Sequence, residues 1–219
     1  AVAEDYVRQQ SEAGYPFRMM DREEIHADEP FLAEDIIGGI EIGCDASINP
    51  MLFAFALSVE SAKLGADIYT YNSVRDITRR SDGSIRSVVT EKGELFTEKV
   101  INCAGVWAPE IGKLVDLEIP IIPRQGQLLV AESTFEVARR KVVEFGYMMA
   151  KFGGSDYQRN IDPKLEELGI AFVFERTTDN NFIIGSSRAF VGFDTRVSIE
   201  VMRGLAKRAL RFYPVLKDT

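Results

Sequence analysis

The segment at residues 100–112, VINCAGVWAPEIG, is the part of this sequence that is most informative about chemistry. Its apolar run ends in the small residues Ala104 and Gly105, and a helix is predicted to begin near Ala108. In open α/β sheets, ligands lie at the carboxyl ends of strands, and small residues there let a ligand reach the backbone. Amides that follow such a strand can donate to a phosphate or ribose. A glycine between a strand and a helix is also a common turn, so the pattern alone leaves both interpretations open.

The elements before this segment are predicted from glycines, caps and apolar spacing. Residues 38–44, GGIEIGC, alternate like a short strand. Asn49 is a good N-cap for a helix over residues 50–64, and Gly65 is a favoured residue after a helix ends. Apolar residues surround the axis of this helix, which predicts that it is buried between layers.

Further strands and helices are predicted on both sides of residue 120. Two turns, at residues 81–83 and 91–93, indicate a meander of antiparallel strands. Residues 151–160 are predicted to form a loop and residues 179–181 a turn. The predicted strands are 66–71, 74–79, 85–90, 95–97, 99–104, 121–131, 141–150, 170–175 and 182–185, and the predicted helices are 108–114, 162–168 and 198–213.

These elements predict a mixed α/β protein. Residues 43–118 have the order of a βαβ-like stretch, and the flanking segments are rich in antiparallel strands. Because segments with the pattern of antiparallel strands occur on both sides of the middle stretch, residues 1–42 and 121–219 are predicted to form one second domain together.

Three motifs resemble flavin enzymes of the D-amino acid oxidase superfamily, which includes glycine oxidase and the sarcosine oxidase beta subunit. The first runs from INCAGVWAPEIG into LEIPIIPRQGQ, the second is ERTTDNNFIIGSSRAFVGFD at residues 175–194, and the third is DASINP at residues 45–50. They occur in the expected order, and the resemblance covers most of residues 38–215.

The resemblance implies FAD as cofactor and two domains of the D-amino acid oxidase type. Residues 43–120 would form part of a Rossmann-like FAD-binding domain, and residues 1–42 and 121–219 an antiparallel-sheet substrate domain. Considered singly, Val74 and Trp107 also suit packing positions, and Cys103 suits a small buried residue. By their place in the motifs, the cofactor-binding residues would be Val74, Cys103, Ala104, Gly105 and Trp107.

Two residues match substrate-facing positions of glycine-oxidase-like members. Arg188 could hold a carboxylate in a bidentate grip, or it could be an arginine at the exposed end of a strand. Phe172 could line the pocket, although a core position is favoured. The lone histidine, His26, lies among acidic residues and is interpreted as solvated.

The implied activity is oxidation of an amine or amino acid, of the glycine, sarcosine, proline or D-amino acid type, by hydride transfer to FAD. Catalytic side chains are not predicted, because in such enzymes the protein chiefly orients the substrate and tunes the flavin. The alternatives are a glycerol-3-phosphate dehydrogenase-like flavoenzyme and a non-catalytic binding subunit. The electron acceptor is left open between oxygen and a partner carrier.

The sequence departs from the family in two places. A GxGxxG motif, which in the family begins the FAD-binding domain, is absent, and so is the closing segment with its W-A-G and R-P elements. We therefore expect the chain to be an internal piece of a longer enzyme. On that expectation it is inactive alone, retains FAD poorly, and tends to self-associate through exposed apolar surface.

Composition excludes some classes of function. Acidic residues outnumber basic ones 34 to 26, and the basic residues are not gathered into one stretch, which disfavours nucleic acid as a partner. Two cysteines without a CxxC pair favour a reducing, cytoplasmic location, and no apolar run is long enough to span a bilayer. Association of the full-length form with a membrane carrier is left open. The sequence predicts no metal site.

Overall fold

Two units make up the chain in the computed structural model, which describes residues 2–132, 135–152, 158–179 and 181–218. Unit 1 comprises Ala1–Ser47 and Arg124–Thr219, and unit 2 comprises Ile48–Pro123. The assignment of substrate and FAD-binding roles to two domains stays a prediction.

Helices and antiparallel strands occur in both units. The helices are α1 Val2–Glu12, α2 Arg22–Asp28, α3 Pro50–Lys63, α4 Ala108–Lys113, α5 Phe145–Phe152, α6 Pro163–Glu167 and α7 Ile199–Phe212, with short 3-10 helices at Gly105–Trp107 and Pro214–Asp218. The strands are β1 Phe17–Asp21, β2 Gly38–Ile42, β3 Val74–Arg79, β4 Ile85–Thr90, β5 Gly93–Phe96, β6 Leu128–Glu132, β7 Val142–Val143, β8 Val173–Arg176 and β9 Asn181–Gly185. The predicted mixture of helix and antiparallel sheet is confirmed.

Unit 2 contains a three-stranded meander in the order β3-β4-β5. The bounds of β3 and β4 match the prediction, and Gly83, at φ 86°, allows the chain to turn between them. The strands predicted at residues 66–71 and 99–104 are wrong. Both segments have strand-like composition, but no strand among the described residues pairs with them, and the parallel sheet of a βαβ unit needs neighbours.

Helix α3 begins and ends where predicted. The Asn49 side chain accepts from the amides of Met51 and Leu52, and Gly65 follows at φ 95°. The predicted burial of this helix is wrong, because none of its residues is buried in the structure. Within the described residues, no layer covers its apolar side chains.

Unit 1 is built on two antiparallel sheets, a two-stranded sheet of β1 and β2 and a four-stranded sheet in the order β6-β9-β8-β7. Helix α7, capped by Ser198, contributes Leu205 and Ala209 to the core. The main core cluster consists of Leu32, Val137, Ala138, Phe172, Phe174, Phe182, Ile184, Ala209 and Tyr213. Because these side chains come from both parts of the sequence, residues 1–47 and 124–219 share one core.

Two strand predictions in unit 1 need correction. The strand predicted at residues 141–150 is wrong beyond Val143, since the Glu144 carbonyl accepts from the amides of Tyr147 and Met148 and the chain continues as α5. The strand predicted at residues 121–131 is limited to β6, with one further bridge between Gln125 and Ala189. Helices α1 and α2 were not predicted. Parts of the predicted loop and turn, residues 153–157 and 180, lie outside the described residues.

Candidate functional site

The segment from Asn102 to Ala108 in unit 2 contains four of the five predicted cofactor-binding residues. The Asn102 side chain accepts from the Ala104 amide at 3.1 Å and donates to the Ala108 carbonyl at 2.9 Å, which fixes the curve of the chain. Gly105 has φ 55°, a left-handed conformation that favours glycine, and begins a 3-10 helix. A tight turn with an exposed backbone therefore precedes α4.

The predicted side chains in this unit are accessible. Trp107 is 56% exposed and Cys103 is an exposed free thiol, so the interpretation of Cys103 as a small buried residue is wrong. Val74, 36% exposed, begins β3 and pairs with Thr90. Four of these residues are close together because they are adjacent in sequence, at 103–107. The fifth, Val74, lies on the β3-β4-β5 meander.

The backbone at Gly105 is open on one side. Apart from its chain neighbours, no described residue has a heavy atom within 4 Å of a Cβ placed on Gly105. The first amides of a 3-10 helix have no acceptor within the helix and are free to donate to a ligand oxygen. These residues would hold part of the nucleotide of a bound flavin through backbone contacts.

Arg188, the predicted carboxylate-binding residue, is half-buried and follows β9 in unit 1. Its Cζ lies 4.6 Å from the centroid of the Tyr147 ring, a cation–π contact made by a helix that the sequence did not predict. Burial, and then the charge of Arg124, lower the pKa of the Arg188 guanidinium. Among the described residues no carboxylate forms an ion pair with it, so the guanidinium can accept an anion.

The backbone around Arg188 is closely held. Gln125 and Ala189 exchange two backbone hydrogen bonds at 2.9 and 3.0 Å, and the Ala171 amide donates to Ser186 at 2.9 Å. A Cβ on Gly169, which has φ 64°, would lie 2.4 Å from the Arg188 carbonyl oxygen. The main chain that carries Arg188 is therefore fixed on both sides.

Phe172, the second predicted substrate residue, is wholly buried. Its ring is stacked on Phe212 at a centroid distance of 4.4 Å and packs against Phe174 and Tyr213. This environment is that of a core residue, and its contact with substrate stays a prediction. The structure does not bring Phe172 and Arg188 together through any contact among the described residues.

A buried ionic cluster, not anticipated from the sequence, lies where α5 meets α7. The Glu144 carboxylate accepts from Arg159 Nη2 at 3.2 Å and from Arg208 Nη2 at 2.6 Å, and all three side chains are largely buried. Arg159 also donates to the Ile170 carbonyl, while its Nε is buried and has no hydrogen-bond partner among the described residues. These residues are distant in sequence, so composition and spacing carried no signal for the cluster.

A second buried carboxylate joins the two sequence parts of unit 1. Glu29 accepts from the backbone amides of Arg139 and Arg140, at 3.0 and 2.6 Å, and from the Tyr213 hydroxyl at 3.1 Å. Burial raises the pKa of the Glu29 carboxyl, and these hydrogen bonds oppose the rise. Burial also raises the pKa of the Tyr213 hydroxyl, with the Glu29 charge adding to it.

We expect Glu29→Gln to remove a pH dependence of stability. Because the folded-state pKa of Glu29 lies above its ordinary value of 4.5, the folded protein binds more protons than the unfolded chain between the two values. Its contribution to stability is therefore full below pH 4.5 and is lost as pH rises through the raised pKa. Glutamine can still accept from both amides. Urea unfolding from pH 4.5 to neutrality should show wild-type stability falling relative to the variant.

The control for this prediction is Glu200→Gln on the exposed side of α7. Lys164 lowers the pKa of Glu200, so this variant removes a contribution that is present above pH 4.5 and lost in acid, with the opposite sign. The prediction is contradicted if the free energies of unfolding of wild type and Glu29→Gln change in parallel between pH 4.5 and neutrality.

A cavity of about 1040 Å³ lies within unit 1, between the two-stranded β1-β2 sheet and residues 139–148. Its lining includes Glu29, Glu144 and Phe212. Neither Phe172 nor Arg188 lines it, so this cavity does not connect the two predicted substrate residues. No helix in the part of the chain that the structure describes is long and apolar enough to cross a bilayer.

Comparisons with known proteins agree with the resemblance seen in the motifs. The bifunctional protein ThiO/ThiG of Nostoc sp. is 27% identical over 213 residues, 96% of this chain and 28% of its own length. Glycine oxidase of Geobacillus kaustophilus is 28% identical over 206 residues, 94% of this chain and 48% of its own. Glycerol 3-phosphate dehydrogenase of Caloramator mitchellensis is 29% identical over 117 residues, 53% of this chain and 24% of its own. This chain thus spans half or less of the length of these relatives.

The fold is shared with solved structures. Glycine oxidase from Bacillus cereus superimposes with a TM-score of 0.77 at 19% identity, over 99% of this chain and 52% of that one. The profile of the family described as FAD dependent oxidoreductase, abbreviated DAO, matches residues 1–219. The chain belongs to the DAO family of FAD-dependent oxidoreductases.

Proposed function

We propose that the whole protein containing this chain oxidises an amine or amino acid, of the glycine, sarcosine, proline or D-amino acid type, with FAD as cofactor. The observation that carries the proposal is the half-buried guanidinium of Arg188, which no described carboxylate neutralises. A partly desolvated arginine without an ion-pair partner is suited to a substrate carboxylate, since the guanidinium can donate two parallel hydrogen bonds.

The residues of this chain bind and orient in the proposed reaction. Arg188 holds the carboxylate, and Tyr147 supports its guanidinium from one side. The amine loses a proton from nitrogen and a hydride from the adjacent carbon, which yields an imine. Bound FAD supplies the acceptor for that hydride. The exposed backbone at residues 103–107, with Val74 and Trp107, is proposed to contact the nucleotide part of the flavin.

Flavin reduction by candidate substrates tests this proposal. The visible spectrum of the whole protein is recorded, and glycine, sarcosine, proline, D-alanine and glycerol 3-phosphate are added in separate anaerobic samples. Bleaching by one of the four amines is expected. Bleaching by glycerol 3-phosphate alone would favour the alternative function, in which the substrate is an alcohol and not an amine. A protein without flavin would contradict the oxidoreductase proposal and favour a binding subunit.

Arg188→Gln is expected to weaken carboxylate binding in the same assay. A hydrogen bond to a charged group contributes about 1.5–3 kcal/mol, which corresponds to a roughly 10- to 100-fold higher substrate concentration for half-maximal reduction. The limiting rate of reduction should change less, because glutamine leaves the flavin untouched. Arg196→Gln is the control, since Arg196 is exposed and forms its ion pair with nearby Asp194. Equal effects of both substitutions would show that Arg188 does not bind the substrate carboxylate.

Glycerol 3-phosphate is a second candidate substrate for a specific reason. One relative is a glycerol 3-phosphate dehydrogenase, and a phosphate requires more positive charge than one arginine supplies. Arg124 lies close enough to Arg188 for its charge to lower the pKa of that group. The substrate series above decides between the two classes.

The partners and location of the whole protein belong to the same proposal. Electrons from the reduced flavin would pass to oxygen or to a carrier protein, and a partner subunit or self-association would cover apolar surface such as that of α3. The free, exposed thiols of Cys44 and Cys103 suit a reducing compartment, which supports a cytoplasmic location.

A further inference from the structure

Arg124 and Arg188 lie next to an isolated antiparallel bridge, one on each of its two segments. The bridge between Gln125 and Ala189 places Arg124 opposite Phe190 and Gly126 opposite Arg188. Side chains alternate along a strand, so residues 124, 126, 188 and 190 point to one side and residues 125 and 189 to the other. The Cζ of Arg124 lies 5.9 Å from the centroid of the Phe190 ring, as this arrangement requires.

This face has positive charge without compensation. Neither arginine forms an ion pair with any carboxylate in the described parts of the chain, whereas arginines elsewhere in the unit commonly do so. Two like charges placed diagonally across a ladder repel each other. Gly126 adds no side chain opposite Arg188, and Phe190, 71% exposed, adds an apolar edge. Two guanidiniums without a described carboxylate partner on one side of the bridge are suited to an anion that contacts both.

We propose that this face is a two-arginine anion site, which binds substrates with a second negative charge more tightly than substrates with one carboxylate. The inference rests on the proposed function, because it takes Arg188 as the residue that binds the reacting substrate. The second charge, on a further carboxylate or on a phosphate, is held by Arg124. Dicarboxylic amino acids and phosphate esters share this chemistry, while glycine and sarcosine have only one carboxylate.

Binding of simple anions to the whole FAD-loaded protein tests the site without turnover. Calorimetric titrations with acetate, malonate and inorganic phosphate compare a singly charged acid with two probes that can carry two charges. We expect malonate or phosphate to bind with a Kd about fivefold or more below that of acetate, because each exposed charge pair adds a modest gain. Arg124→Gln should abolish that preference and leave acetate binding nearly unchanged.

Two variants make the result specific. Arg188→Gln should weaken all three anions, and Arg196→Gln, which removes the same charge from a neighbouring position, should leave the preference intact. A malonate preference points to a dicarboxylic amino acid and a phosphate preference to a phosphate ester. Equal Kd values for the three anions, or a preference that survives in Arg124→Gln, would overturn the inference. Flavin bleaching by glycine or sarcosine is measured separately, so the proposed function can hold while this site fails, or the reverse.

Discussion

Replacing Glu144 with alanine is expected to lower the free energy of unfolding by about 3–5 kcal/mol. The side chain is 8% exposed and is the carboxylate that neutralises two largely buried arginines, Arg159 and Arg208. Removing it leaves two positive charges in a poorly solvated site, where Arg159 already has one unpaired N–H. Urea unfolding monitored by circular dichroism measures the change.

Two controls separate charge burial from loss of packing. Glu200→Ala breaks an exposed ion pair with Lys164 and should leave the free energy of unfolding nearly unchanged, because solvent screens exposed charges. The triple replacement of Glu144, Arg159 and Arg208 by leucine, leucine and methionine removes all three charges and should recover most of the loss. If the triple variant is as unstable as Glu144→Ala, unpaired charge is not the cause.

Phe172→Ala should lower the free energy of unfolding by about 3–5 kcal/mol. The ring has no solvent exposure and is stacked on Phe212, so truncation leaves a cavity between β8 and α7. Denaturant unfolding gives the value, and substrate titration of the same variant reports on the predicted pocket role.

Phe190→Ala is the matched control for this truncation. The Phe190 ring is 71% exposed, and its removal should change stability by less than about 1 kcal/mol. A loss for Phe172→Ala no larger than this would mean that the ring is not a core residue in solution.

Local signals in the sequence predicted much of the fold. Asn49 accepts from the amides of the helix that follows it, as predicted, and Asp162 and Ser198 have the same role before α6 and α7. The turn at Gly83 and the β-rich composition around it specified the β3-β4 hairpin. Such features depend on a few adjacent residues, which explains why one sequence was enough.

Features that depend on distant partners could not be predicted in this way. Residues 66–71 have strand composition, but a strand also requires a neighbour, which composition does not reveal. The run FGYMMA is apolar enough for either a strand or a helix, and in the structure it is a helix in which the amides of Tyr147 and Met148 donate to the Glu144 carbonyl.

The same distinction between adjacent and distant residues applies to the candidate site. The motif around Gly105 was visible because its residues are adjacent, and Arg188 was visible through the family resemblance. Tyr147 and Arg124 were not identified, because their proximity to Arg188 arises from α5 and from the bridge at Gln125. The spacing of apolar residues within a single segment gives no information about such contacts.

The close approach of Gly169 to the Arg188 carbonyl has a consequence for the entropy of ligand binding. With no room for a Cβ at Gly169 and with the Gln125 bridge on the other side, the main chain at Arg188 is already ordered before an anion arrives. Binding then restricts only the side-chain torsions of the arginine, and its contact with the Tyr147 ring restricts some of these beforehand. More of the interaction energy is consequently retained as affinity.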